Sequence, residues 1–104
     1  MAKVKVDPER MRAAAGEAVA ILKVLGNPER LLLLCELSAG EKCVGDLEEA
    51  LEIRQPTLSQ QLAVLRNQGV VDTRREGKNI YYRVSDPNLL DILKVLYRLY
   101  CKEE

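Results

Sequence analysis

The sequence predicts a mainly α fold in one domain, with a single β-hairpin between its fourth and fifth helices. Three observations carry this expectation. Apolar residues recur at helical spacing through most of the chain. Asp7-Pro8, Asn27-Pro28 and Asp86-Pro87 each put a capping side chain just before a proline suited to the first helical position. Between residues 70 and 84 the pattern changes to short runs of β-branched and aromatic residues around a glycine. The chain has 104 residues, 47% of them apolar, enough for one core, so residues 1–104 read as a single domain.

Each element follows from local chemistry. The first helix is expected at 8–25, with Met11, Ala14, Ala15, Ala18, Ile21, Leu22 and Leu25 on one face. Gly26 stops it and Asn27 caps the next, which opens at Pro28, carries "LLLLCEL" and runs to about Ser38. "AGEK" reads as a turn. A short helix then begins near Cys43, with Val44, Leu47 and Leu51 inward. "EIRQP" turns the chain again. The fourth helix starts at Pro56, buries Leu58, Leu62 and Leu65, and ends at Gly69. "VVDTRR" and "NIYYRV", joined by "EGK", form the hairpin. The last helix opens at Pro87 and reaches Tyr100. It is apolar on nearly every side, which fits packing on its own core and on a partner.

The resulting order, ααααββα, with two helices joined by a tight turn and then a basic hairpin, is that of a winged helix-turn-helix with a two-stranded wing. The formal net charge is zero, but residues 54–83 hold six basic and two acidic side chains. Positive charge gathered in one segment suits a polyanion. The apolar stripe of the fourth helix leaves Gln55, Thr57, Ser59 and Gln60 outward near its N-terminal end, where such side chains can hydrogen-bond base edges in the major groove. Arg74, Arg75 and Lys78 on the hairpin would meet phosphates or the minor groove. The bland alternative is an ordinary solvated polar face. A winged-helix module that binds protein is a further alternative.

Other classes find less support. No apolar run approaches the roughly 18 residues of a membrane span. The chain has no histidine and no Cys-x-x-Cys pair, so an enzyme of thiol–disulfide exchange is not expected, nor is a cofactor. The three cysteines are too few and too irregularly spaced for a disulfide scaffold, and the expectation is a cytoplasmic protein with reduced thiols. Cys35, inside "LLLLCEL", reads as a small buried hydrophobe. Cys43 lies at a helix start, where the positive end of the helix dipole and Lys42 favour a thiolate. Capping or packing is the plain alternative for Cys43, and a helix-face contact for Cys101.

The stretches "QPTLSQQLAVLRNQGVV" and "RREGKNIYYRV" resemble the DNA-binding region of the ArsR/SmtB family of bacterial repressors. The resemblance covers about residues 20–101. It implies a homodimer built from the first and last helices, bound to a double-stranded, inverted-repeat operator and released by an inducer. By position, Gln55, Ser59 and Gln60 match base-contacting residues, and Arg75 and Lys78 lie in the wing. Arg54 stands where the family often has a serine. One class of members binds thiophilic metals through Cys-x-Cys-Asp at the third helix; here the second cysteine is Gly45. Another binds zinc through histidines, which this chain lacks. "ExCVGDLExAxxIRQPTLSQQL" is most similar to the persulfide-sensing branch, the SqrR and BigR type. That resemblance implies that low-molecular-weight persulfides or polysulfides bridge Cys43 and Cys101, releasing DNA and sulfide-detoxification genes. A thiophilic metal, a metalloid or a general oxidant is the alternative inducer.

Overall fold

The structure is a computed structural model and describes residues 5–101. Helix α1 spans Pro8–Leu25, α2 Pro28–Ser38, α3 Val44–Leu51, α4 Thr57–Asn67 and α5 Pro87–Tyr100. Strand β1 is Lys42–Cys43, β2 Val71–Glu76 and β3 Asn79–Val84.

The three capped starts form as their sequences dictate. Asp7 accepts from the N–H groups of Glu9 and Arg10 at 3.0 and 3.4 Å. Asn27 accepts from Glu29 and Arg30 at 3.0 and 3.1 Å. Asp86 accepts from Asn88 and Leu89 at 2.9 and 3.3 Å. Each cap satisfies donors that the first helical turn leaves without an intrahelical acceptor. Helix α4 starts one residue later than expected. Proline carries no side-chain acceptor, so the Gln55 amide oxygen takes the Ser59 N–H instead, at 3.1 Å.

The wing departs from expectation in one respect. Its hairpin, β2 and β3, turns at Gly77, whose φ of +62° suits a residue without Cβ. The sheet, however, has three antiparallel strands in the order β1-β3-β2. Lys42 and Cys43, expected in a turn and at a helix start, pair with Tyr82 and Tyr81 of β3. A two-residue strand has no periodicity of its own; the neighbouring strand's hydrogen-bonding groups create it.

The core gathers Leu33, Leu34 and Leu37 of α2, Leu47 of α3, and Leu58, Leu62 and Leu65 of α4. Tyr82 and Val84 of β3, Leu89 and Leu93 of α5, and Val24, Ile53, Val70 and Val71 also belong to it. Among the described residues no polar or charged side chain is buried. Helix α1 joins this core differently from its stripe. Only Val24 is buried, Ile21 and Leu25 pack partly, and Met11 and Leu22 stay 54% and 60% exposed. Helix α5 has the two surfaces its composition suggests: Leu89 and Leu93 inward, Val95, Leu99 and Tyr100 outward.

Candidate nucleic-acid interface and thiol pocket

Helices α3 and α4 and the hairpin build one surface. Leu58, Leu62 and Leu65 anchor α4, which leaves Ser59 and Gln60 exposed and Thr57 half-buried. Gln55, in the exposed turn before α4, accepts from the Ser59 hydroxyl at 2.6 Å and donates from Nε2 to Glu48 of α3 at 3.3 Å. Gln55 and Ser59 are thus held together as one polar unit, braced from α3. Short and amide side chains at a helix start, with apolar residues behind them, can present donors and acceptors to base edges.

The wing's basic residues divide into two kinds. Arg75 and Lys78 are exposed, and among the described residues neither makes an ion pair. Arg74 is engaged on several sides. Its Nε lies 2.8 and 2.9 Å from the two Glu41 carboxylate oxygens, and its Nη1 lies 2.7 Å from Glu76. These hydrogen bonds lower the Glu41 carboxyl below its usual pKa and raise that of the guanidinium. Arg83 pairs with Asp72 across the hairpin at 3.0 Å.

The three thiols occupy two places. Cys43 caps α3; its N–H donates to Asp46 Oδ2 at 3.3 Å. The hydrogen bonds from Cys43, side chain first and backbone second, lower the Asp46 carboxyl. Lys42, expected to favour a Cys43 thiolate, has its Nζ 3.8 Å from a Glu36 carboxylate oxygen. Cys101 lies elsewhere, at the end of α5, with its N–H donating to the Tyr97 carbonyl at 2.8 Å. It lines an apolar pocket of about 190 Å³ between α2 and α5, together with Leu31, Cys35, Leu96, Tyr97 and Tyr100. Cys35 is half-buried there. Burial pushes its thiol up, and the negative charge of a Cys101 thiolate adds to this. The geometry therefore brings Cys101 together with Cys35, where the sequence pointed to Cys43, which is no part of the pocket wall. A signal for Cys35 was present. It follows Leu31 by one helical turn, on a face of α2 distinct from that of Leu33 and Leu37. Among the described residues no three Cys, Asp, Glu or His side chains converge as metal ligands do.

Residues 27–73, from the start of α2 into the wing, match the bacterial regulatory protein, arsR family. The biofilm growth-associated repressor of Agrobacterium fabrum is 50% identical over 90% of this chain and 80% of its own length. The chain belongs to the ArsR family. Another relative of this ArsR-family protein, the transcriptional activator HlyU of Vibrio cholerae, is 39% identical over 90% of the chain and 87% of its own. The crystal structure of the transcriptional repressor BigR from Xylella fastidiosa superposes with a TM-score of 0.88 at 44% identity, covering 94% of this chain and all of that one. The five helices and the hairpin wing are thus the family's winged-helix fold.

Proposed function

We propose that this chain is a cytoplasmic, operator-binding transcriptional repressor that acts as a homodimer and leaves DNA when sulfane sulfur donors bridge two thiols of one subunit. The observation that carries the inducer part is the apolar α2–α5 pocket lined by both Cys35 and Cys101. Cys35 takes the place that the resemblance gave to Cys43. Gln55, Thr57, Ser59 and Gln60 read base edges, and Arg75 and Lys78 meet phosphates. The apolar residues that α1 and α5 expose supply the subunit contact.

The chemistry balances without an external oxidant. The Cys101 thiolate attacks the outer sulfur of a low-molecular-weight persulfide, and the donor thiolate leaves. Cys35 reacts with a second persulfide in the same way. One protein persulfide then attacks the cysteine sulfur of the other and expels hydrosulfide, leaving a bridge of three sulfurs. Such a bridge ties α5, with its exposed apolar face, to α2, which packs against the α4 reading helix. A subunit arrangement mismatched to the operator lowers DNA affinity.

The test is mass spectrometry of the reduced protein after glutathione persulfide, with peroxide as a parallel treatment, followed by operator titration. The expected product links Cys35 and Cys101 with one added sulfur, Cys43→Ser protein responds normally, and Cys35→Ser and Cys101→Ser proteins keep their DNA. A Cys43–Cys101 link would restore the pairing read from the sequence. Full release by peroxide alone would make the protein a general oxidant sensor.

A further inference from the structure

We propose that Arg74 is a positioning residue of the wing: it clamps the loop before β1 to the hairpin, and its charge is not spent on DNA. The inference rests on the operator-binding reading and adds a division of labour within the basic segment. Glu41 lies 33 positions before Arg74 and immediately precedes β1. Its carboxylate takes both Nε and Nη2 of the guanidinium, the latter at 2.6 Å. Nη1 turns to Glu76 on the same strand. The guanidinium also covers the ring of Tyr81 at 4.6 Å. Tyr81 is the cross-strand partner of Arg74 on one side and of Cys43 on the other. One side chain thus touches the loop, lies on β2 and caps β3 over the middle of the sheet.

The electrostatics point the same way. One guanidinium between two carboxylates carries a net negative charge, which repels a phosphate. A phosphate ligand at Arg74 would have to displace a forked, two-point pair whose planar geometry suits arginine. Exposed ion pairs contribute little stability individually. Three contacts in different directions nevertheless fix orientation, and the object oriented is the hairpin that carries Arg75 and Lys78.

The test compares wild type with Arg74→Gln, Arg74→Lys and Glu41→Gln, using a duplex selected from random sequence by the wild-type protein. Circular dichroism confirms that each variant is folded. The clamp predicts that all three weaken binding by about tenfold. The slope of log affinity against log salt stays unchanged, because no phosphate contact is lost. Arg74→Lys fails like Arg74→Gln, since a point charge cannot reproduce the fork. The Arg74→Gln/Glu41→Gln double variant is no weaker than either single one. The proposal is overturned if Glu41→Gln tightens binding while Arg74→Gln flattens the salt slope, the behaviour of a phosphate ligand. It is equally overturned if all three bind as wild type does. Failure of folded wild-type protein to enrich any duplex would instead remove the operator-binding reading itself.

Discussion

Replacing Arg30 with alanine should loosen α1 from the rest of the chain. The carbonyls of the last turn of a helix have no intrahelical partners, and they form the negative end of its dipole. Arg30, in the first turn of α2, supplies further donors to the last turn of α1, where the Lys23 carbonyl also accepts the Gly26 N–H at 3.2 Å. Its Nε donates to the Val24 carbonyl at 2.8 Å and Nη2 to the Lys23 carbonyl at 3.0 Å. Its Nη1 donates to the Gln61 amide oxygen of α4 at 3.2 Å. A hydrogen bond involving a charged group contributes about 1.5–3 kcal/mol in full. Arg30 is only half-buried and the Lys23 contact is exposed, so the three together come to about 2–3 kcal/mol. For a domain of this size that lowers Tm by about 8–24 °C. The assay is thermal unfolding at fixed protein concentration, since the proposed subunit association would also stabilise, with amide exchange in α1 alongside. Arg30→Lys should recover only part of the loss. A melting temperature for Arg30→Ala within about 2 °C of wild type would refute the reasoning. So would unchanged exchange in the last turns of α1.

Two further expectations address the wing. If Lys78 meets a phosphate in each subunit of a dimer, as proposed, Lys78→Ala should flatten the slope of log affinity against log salt by about 1.8, read between about 50 and 200 mM salt. An unchanged slope would take Lys78 out of the interface. Glu41 gives a pH signature. Its folded-state pKa is depressed by Arg74, so its contribution is complete above the ordinary carboxylate range and is lost as pH falls through the depressed value. Thermal stability of wild type should therefore fall more steeply below about pH 4 than that of Glu41→Gln, and identical acid limbs would contradict the pairing.

What could be read from the sequence was local. Asp7, Asn27 and Asp86 declare their helices because cap and proline act within one turn. Leu58, Leu62 and Leu65 declare a buried face because their spacing is that of the helix. What could not be read depends on partners distant along the chain. β1 exists because β3 offers it hydrogen bonds. The engagement of Arg74 depends on Glu41, which no periodicity links to it. Met11 and Leu22 fit an apolar stripe, but spacing does not say whether the chain's own core covers it. Cys35 was hidden by its apolar neighbours. Cys43 drew attention because a helix start is a recognisable place for a thiol, whereas the shared pocket of Cys35 and Cys101 forms only once α5 lies against α2.

That pocket also has a topological consequence. A covalent link across it would close a ring of about 66 residues. The ring contains α3, α4 and both strands of the wing, hence every residue assigned to DNA. Closing it removes about 4 kcal/mol worth of chain entropy from the unfolded state, so the DNA-free, bridged form would resist heat better than the form that binds the operator. The signal would then be stored as connectivity and not as a ligand that drifts away when its concentration falls. Resetting such a regulator calls for a thiol reductant able to enter the groove between α2 and α5, and the duration of the response becomes a property of the cell's reducing power.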